Sequence, residues 1–208
     1  MLITKHTDDK LFWQELKIGD TNCFNVLFRK YYSELHQYGL KIFSDQEFVK
    51  ETIQEVFIRI WETRERLGEV ENIKAYLLVS LRRMMLTKLG KDKSKLHVEF
   101  GKANHHSFLF ELNEFEKQEE LSPEIRDVIL KSVNSLTKRQ RELIQLFFYH
   151  ELPYPEIAKV MKMSIKATRN LMYRTLIHLR ESIGEKMLKT MKDMFVLFFL
   201  TTPEKKLE

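Results

Sequence analysis

The sequence predicts an all-α protein in which two small helical domains are joined by a flexible linker. Apolar residues recur at spacings of three and four along most of the chain, which is the period of an amphipathic helix. With 6 Gly, 4 Pro and 31% charged residues, the composition is typical of a folded helical protein rather than of a sheet protein or a disordered chain. A length of 208 residues is comfortable for two domains that each bury a modest core.

The first domain begins with two helices that are rich in aromatic residues. The first helix is predicted from Leu11 to about Ile18, and it ends at Gly19, a residue type that suits a helix C-terminus. The second helix has Asp20 or Thr21 as its candidate N-cap. Its apolar stripe has helical spacing and is expected to face the core: Phe24, Leu27, Tyr31, Leu35, Tyr38 and Ile42.

A third helix is predicted over residues 47–64, after a break at Ser44 and Asp45. Its buried stripe consists of Val49, Ile53, Val56 and Ile60, with Phe57 and Trp61 beside it. The opposite face is mostly polar and consists of Glu51, Gln54, Glu55, Ile58, Arg59 and Glu62. These residues leave two interpretations open, a face in contact with solvent or a docking site for a partner protein.

A fourth helix is predicted from Ile73 to about Leu89, with Asn72 as its cap. Its predicted buried side consists of Tyr76, Leu77, Leu81 and Met84, and its charged residues are Lys74, Arg82, Arg83 and Lys88. The helix has no acidic residue. Because aromatic rings stack on bases and arginines neutralise phosphates, the helix suits single-stranded nucleic acid, although an ordinary basic helix would have the same composition.

Residues 91–121 have no stable period, so we expect a linker there, and the second domain is expected to begin at Ser122 and Pro123. The apolar residues of its first helix are Ile125, Val128, Ile129 and Val133. Thr137 is the predicted cap of the next helix, whose inward residues are Leu143, Leu146 and Phe147.

Residues 153–180 predict two helices joined by a tight turn. The first has the buried residues Ile157, Ala158, Val160 and Met161, and the second has Ser164 as its N-cap and the buried residues Ile165, Met172, Leu176 and Leu179. The exposed residues of the second helix are Lys166, Arg169, Asn170, Tyr173 and Arg174. Such a charged, hydrogen-bonding face suits the major groove of DNA, although helix pairs with a basic face also occur in other helical proteins.

The distribution of charge favours the nucleic-acid interpretation of the second domain. Residues 122–184 contain 11 Lys and Arg against 6 Asp and Glu, whereas residues 1–90 contain 14 against 13. The net charge of +5 therefore has its largest share in the domain with the helix pair.

Several classes of protein are excluded or disfavoured by composition. A single cysteine, Cys23, excludes an intramolecular disulfide and suggests a reducing compartment. The polar N-terminus lacks a signal segment, and the longest apolar run, Met194 to Leu200, is too short to cross a bilayer, so we expect a cytoplasmic protein without stable membrane insertion. The histidines lack metal-ligand spacing and the glycines form no phosphate loop. We therefore expect no enzyme, no cofactor and no metal.

Two separated blocks of sequence resemble a known family. The first block runs from Glu51 to Trp61, with Gln54, Glu55 and Phe57 inside it, and is followed by residues 72–77. The second block contains Leu136, Thr137, Gln140, Arg141 and Glu142, followed by Glu156, Ile157 and Ala158. Over about residues 20–90 and 122–182 the chain resembles bacterial RNA polymerase sigma factors of the extracytoplasmic-function (ECF) type.

This resemblance implies a subunit that binds core RNA polymerase and promoter DNA and directs transcription initiation. The polymerase clamp helices would bind a face of the third helix that consists of Glu51, Gln54, Glu55 and Ile58. The melted minus-ten element would be held by Tyr76, Arg82 and Arg83, and the duplex minus-thirty-five element would be read by Lys166, Arg169, Asn170, Tyr173 and Arg174. The linker would thread the active-site and RNA-exit channel of the polymerase. An inhibitory partner, an anti-sigma factor, often sequesters proteins of this kind.

The chain departs from the family pattern at several positions. Pro153 occupies a position where many members have a Ser or Thr cap, and Lys162 lies where the turn often has Gly. A residue other than Gly at that turn would be strained if its backbone is left-handed. Arg83 and Thr87 replace an Asn and an Asp that are frequent in the strand-separating helix. A phosphate-binding role of that helix survives these two changes better than a base-specific one.

We expect four segments in the chain, at residues 10–90, 91–121, 122–184 and 185–206. The last is an apolar extension beyond the resemblance, and we expect it to pack on the second domain, with a role in closing the free protein or in binding a regulator as the alternative. The main alternative function is a helix-turn-helix regulator that binds DNA without polymerase. A helical adaptor with no nucleic-acid function is the third interpretation.

Overall fold

Helices and turns account for the described structure of both parts of the chain. The computed structural model describes residues 5–91 and 123–184, and these two ranges contain no strand. They fall into two compact units, divided near residue 104. The all-α prediction with two helical domains is therefore confirmed for the described residues. The predictions for residues 92–121 and 185–206 lie outside them.

The first unit has four helices and a short turn of 3-10 helix. α1 spans Lys5–Lys17, α2 spans Thr21–Ile42, α3 spans Gln46–Glu62 and α4 spans Ile73–Lys91, with the 3-10 turn at Arg64–Arg66. α1 begins several residues before its predicted start at Leu11. Its first turn contains Lys5, His6 and Thr7, whose polarity hides it from an apolar pattern.

Side-chain caps fix the starts of three of these helices. Asp20 accepts hydrogen bonds from the amides of Asn22 and Cys23 at 2.7 and 3.0 Å. Asp45 caps α3 at 3.1 Å from the amide of Phe48, and Asn72 accepts from the amide of Ala75 at 3.0 Å. Each cap satisfies an amide that the helix leaves without an internal partner.

The core of the first unit lies between α2, α3 and α4. The predicted stripe of α3 is fully buried, and so is most of the stripe of α2. At the crossing of α2 and α3, a Cβ added to Gly39 would lie 2.5 Å from Cγ1 of Val49. The two helices therefore approach more closely than any side chain at position 39 would allow.

Two predictions about burial on α4 are wrong. Met85 rather than Met84 is buried, and Tyr76 is half-buried. On α4 the buried positions 78, 81, 85 and 89 continue at spacings of three and four, so the stripe passes through Met85. The period alone does not say which of two adjacent methionines continues the stripe.

A buried polar cluster joins α1 to α2. Asp9, which is only 6% exposed, accepts a hydrogen bond from the hydroxyl of Tyr31 at 2.5 Å and pairs with the ammonium of Lys30. Burial raises the pKa of Tyr31, so its hydroxyl stays protonated and donates to the carboxylate. The cluster anchors the N-terminal helix to the core.

The second unit contains the helix pair and two further helices. α5 spans Pro123–Ser135, α6 spans Lys138–Ile144 and continues into a π-helical turn at Gln145–Tyr149, α7 spans Tyr154–Met161 and α8 spans Ile165–Ile183. Pro123 is the first residue of α5, as predicted. Thr137 caps α6 in a reciprocal pair with Gln140, as the sequence predicted for Thr137.

α8 packs on α5, α6 and α7, and its buried side differs from the prediction at two positions. Met172 and Leu179 are buried as predicted, but Ile165 is 44% exposed and Leu176 is half-buried. The remaining buried positions are Ile183, Thr168 and Thr175, and the hydroxyls of the two threonines donate to the carbonyls of Ser164 and Leu171. A hydrophobic pattern misses such threonines because the main chain satisfies their hydroxyl groups.

The close approach of α2 and α3 gives the first testable prediction. Gly39→Ala places a methyl group within overlap distance of Val49, and we expect it to lower the free energy of unfolding by about 1–3 kcal/mol. Gly90→Ala is the matched control, since Gly90 is also helical and has no atom within 4 Å of an added Cβ. The control should be neutral or stabilising by up to about 1 kcal/mol in urea unfolding curves. Equal effects of the two substitutions would contradict the close approach.

Candidate nucleic-acid interface

The turn between α7 and α8 fixes the direction of the exposed helix. Lys162 has a left-handed backbone, with φ 52° and ψ 55°, and the amide of Met163 bonds to the carbonyl of Ala158 at 2.9 Å. Ser164 then caps α8 by accepting from the amide of Ala167 at 3.1 Å. A non-glycine residue in this conformation costs about 1–2 kcal/mol, so the strain anticipated at Lys162 is present.

Most of the predicted DNA-reading residues lie on the outer surface of α8. Lys166, Asn170, Tyr173 and Arg174 are exposed, Tyr173 by 65%. Between Ile165 and Arg180 the helix has no carboxylate. The surface therefore presents cationic, amide and phenol groups that can donate hydrogen bonds to phosphates and to base edges.

Arg169 differs from the other residues of this surface because its guanidinium is held by an aromatic ring. It lies 5.9 Å from the ring centre of Tyr154, the first residue of α7, and it is half-buried. Its Nε is buried and has no hydrogen-bond partner among the described residues. Tyr154 in turn stacks on Phe147 at 5.1 Å. The stack of Phe147, Tyr154 and Arg169 restricts the guanidinium to a few orientations.

The stack was not anticipated from the sequence. Tyr154 was assigned only to the first helix of the pair, and Phe147 was expected to point inward as an ordinary core residue. Burial raises the pKa of Tyr154, while the nearby cation of Arg169 opposes that shift. Two aromatic residues seven positions apart, each near the end of a helix, are too weak a pattern to predict a contact with an arginine on a third element.

The second candidate surface is the outward face of α3. Glu51, Gln54, Glu55 and Ile58 are all exposed, and they occupy the side opposite the buried stripe, as predicted. Ile58 is 55% exposed and lies among polar residues. A mostly polar face with one large exposed aliphatic side chain suits a protein partner better than nucleic acid.

The third candidate surface is on α4. Arg83 is exposed, and Arg82 is half-buried and takes part in interactions within the protein. Tyr76 is half-buried with its ring edge-on to Trp13 at 5.2 Å. Tyr76 and Arg83 lie seven residues apart, two turns of the same helix, so they share one side of α4, while Arg82 points elsewhere.

Two ion pairs connect α4 to its neighbours, and the sequence did not predict them. Lys88 pairs with Glu55 of α3 and also lies 5.6 Å from the ring centre of Phe48. Lys74 pairs with Glu34 of α2 at 2.8 Å. These pairs join positions more than thirty residues apart, a separation at which a single sequence gives no signal.

The described residues contain neither a metal-ligand cluster nor a helix suited to a membrane. Within residues 5–91 and 123–184, no group of three or more His, Cys, Asp or Glu side chains is arranged to hold a metal ion. Among those residues, no helix combines the length and apolarity needed to cross a membrane.

Two family models match the chain, one in each unit. Residues 27–95 match the family Sigma-70 region 2, and residues 126–179 match Sigma-70, region 4. Together the two matches cover more than half of the chain and include α3, α4, α7 and most of α8. This chain belongs to the sigma-70 family of RNA polymerase sigma factors. Proteins of this family bind core RNA polymerase and promoter DNA and direct transcription initiation.

Individual relatives are distant in sequence but similar in extent. The chain is 18% identical over 173 residues to the ECF RNA polymerase sigma factor SigK of Mycobacterium ulcerans. The aligned region covers 82% of this chain and 90% of the relative. The chain is also similar in fold to CnrH, solved in complex with the cytosolic domain of CnrY, with a TM-score of 0.55, 16% identity and 88% of this chain covered against 97% of the other.

A second solved structure has the same fold. It is the sigma factor RpoE in complex with the anti-sigma factor NepR from Bartonella quintana, with a TM-score of 0.50 and 17% identity, covering 77% of this chain and 96% of the other. At these identities the likeness concerns the fold. The sigma-factor resemblance noted in the sequence is thus confirmed by the family matches.

The aromatic stack on α8 gives the second prediction. Tyr154→Leu removes the ring beneath Arg169, and we expect base discrimination at one minus-thirty-five position to fall about two- to fivefold, the range that a cation–π contact allows. Tyr154→Phe keeps the ring and should keep the discrimination. Transcription with core polymerase from templates that differ in the minus-thirty-five element measures both. The same loss in both variants would show that the ring does not position Arg169.

Proposed function

We propose that the three surfaces divide promoter recognition by this sigma factor among them. The outward face of α3, with Glu51, Gln54, Glu55 and Ile58, docks on the polymerase clamp helices. Tyr76 and Arg83, on one side of α4, hold the melted minus-ten element, and Arg82 contacts it from the neighbouring side of the helix. The exposed face of α8 reads the minus-thirty-five element through Lys166, Arg169, Asn170, Tyr173 and Arg174.

The observation that carries this assignment is the exposed α3 face within the region 2 match. All four of its proposed docking residues are exposed, although α3 buries a complete stripe on its other side. A helix-turn-helix regulator that acts without polymerase has no need of such a face. Dependence on core polymerase therefore separates the two functions experimentally.

The two DNA surfaces are proposed to use different physical contacts. α8 has a rigid cap, no carboxylate over Ile165 to Arg180 and one arginine held by a ring, which suits base edges in a duplex. α4 has an exposed Arg83 and a half-buried Tyr76 on one side, which suits phosphates and an unstacked base of a single strand.

The proposal extends to domain roles, partners and location. Residues 10–90 form the domain for polymerase and the minus-ten element, residues 122–184 form the domain for the minus-thirty-five element, residues 91–121 link them, and residues 185–206 form an apolar extension. An anti-sigma factor is a proposed further partner, supported by a fold shared with a sigma factor solved with one. The protein acts in the cytoplasm, where the polymerase is, and performs no catalysis of its own.

Docking through α3 gives the third prediction. Ile58→Glu should weaken binding to core polymerase about tenfold or more, because a charge replaces the exposed apolar residue of the proposed contact. Leu11→Glu is the control, since Leu11 is 59% exposed and Ile58 is 55% exposed. Binding is measured by titration of labelled core polymerase. If Ile58→Glu binds as tightly as Leu11→Glu, the α3 face is not the docking site.

The recognition helix gives the fourth prediction. Arg169→Ala should cost about 1–3 kcal/mol at one base pair of the minus-thirty-five element, because the held guanidinium reads a base edge. Arg174→Ala removes an exposed arginine of the same helix and should weaken binding to all promoters alike while reducing the salt dependence. A promoter library transcribed with core polymerase at two salt concentrations distinguishes the two patterns. A uniform loss for Arg169→Ala, together with a loss confined to one base pair for Arg174→Ala, would contradict the assignment of Arg169 as the residue that reads a base.

A further inference from the structure

Side chains of α1 form hydrogen bonds with the loop that joins α3 to α4, and this set of contacts is called the grip of α1 on the loop. This α3–α4 loop comprises residues 63–72. The indole Nε1 of Trp13 donates to the carbonyl of Gly68 at 3.2 Å. Glu69 accepts hydrogen bonds on both carboxylate oxygens, from Gln14 at 2.5 Å and from Lys17 at 2.9 Å. Three side chains near the C-terminal end of α1 thus hold two adjacent loop residues. These loop residues lie more than fifty positions away in the sequence.

The second half of the loop has little other support. Its first half is closed by backbone hydrogen bonds from Arg66 to Thr63 and from Leu67 to Arg64, at 2.9 and 3.2 Å. Residues 68–71 make no backbone-to-backbone hydrogen bond with any other described residue. The carbonyl of Gly68 is instead satisfied by Trp13. The conformation of these four residues therefore depends on side chains of α1.

The same helix also touches a proposed minus-ten residue. Trp13 is 2% exposed, and its ring lies edge-on to Tyr76 at 5.2 Å, in the first turn of α4. One side chain thus contacts both the loop and the helix that follows it. The opposite end of α1 is anchored by Asp9, which is bonded to Tyr31 and Lys30 of α2. The helix that holds the loop is therefore itself attached to α2.

The grip involves residues that precede the matched family region. Trp13, Gln14 and Lys17 all lie before residue 27, where the region 2 match begins. The hydrogen bond from Lys17 is the main cause of a lowered pKa of Glu69, so this carboxylate is ionised at neutral pH. An exposed ion pair contributes little to overall stability, but a loop with few internal constraints needs only a small bias to favour one conformation.

We propose that α1 is a positioning element for minus-ten recognition, in which Trp13 and the pair of Gln14 and Lys17 on Glu69 hold the α3–α4 loop and, with it, keep Tyr76 at the start of α4 in the geometry that binds the minus-ten element. This inference rests on the proposed role of Tyr76 and α4 at the minus-ten element. It assigns no base contact to α1. Under this proposal, selectivity for the minus-ten element depends on the hydrogen bonds and the ion pair between α1 and the loop.

The test uses the full chain with core polymerase and two promoter libraries, one randomised in the minus-ten element and one in the minus-thirty-five element. Glu69→Gln should reduce minus-ten discrimination about two- to fivefold, the range that the loss of an exposed ion pair allows, and leave minus-thirty-five discrimination unchanged. Trp13→Phe keeps a ring beside Tyr76 but loses the hydrogen bond to Gly68, and should act in the same direction. The double variant Lys17→Glu with Glu69→Lys should restore selectivity.

Glu47→Gln is the matched control. Glu47 pairs with Lys50 at 2.7 Å, and its side chain is 75% exposed, as is that of Glu69. It belongs to α3 and is outside the proposed docking set. If the Glu69 and Glu47 variants give equal minus-ten profiles, or if both promoter elements lose discrimination together, α1 does not position the loop. Failure of the wild-type chain to direct any polymerase-dependent transcription would instead overturn the proposed function.

Discussion

The close approach of α2 and α3 at Gly39 is the constraint on which the first unit depends. A glycine at the crossing lets Val49 pack against the backbone of α2, which fixes the rotation of α3 about its own axis. With that rotation fixed, Ile53 and Ile60 point inward and Glu51 and Ile58 point outward. The orientation of the proposed polymerase-docking face is thus a consequence of the contact between α2 and α3 on the opposite side of α3.

In the second unit, the orientation of the exposed face of α8 is accompanied by local backbone strain and by desolvation of an arginine. The left-handed Lys162 closes a short turn, and the buried Nε of Arg169 lacks a hydrogen bond in the described structure. Neither feature favours folding, and both occur where α8 presents its proposed DNA-reading surface. The gain is an arginine with restricted motion, since fewer rotamers are lost when it meets a base. Lys166 and Arg174, which are exposed on the same helix, lack that advantage.

Sequence periodicity and capping rules predicted the helices because those rules act over a few residues. Asn72, Thr137 and Ser164 all act as caps where the sequence placed them. What periodicity missed depends on neighbours far along the chain. The exposure of Ile165 and the pairing of Lys88 with Glu55 are set by other helices, whose positions a single sequence does not contain. The set of candidate residues was therefore predictable, whereas their supporting contacts were not.

The ion pairs of α4 change how its basic residues should be counted. Lys74 and Lys88 already have carboxylates beside them, supplied by Glu34 and Glu55. A lysine that keeps such a partner adds almost no net charge near a phosphate, so it displaces few condensed counterions from the nucleic acid. The ionic contribution of the proposed contact therefore comes from the arginines of α4 rather than from Lys74 and Lys88. A tally of all cations on the helix overstates the number of ions that binding would release.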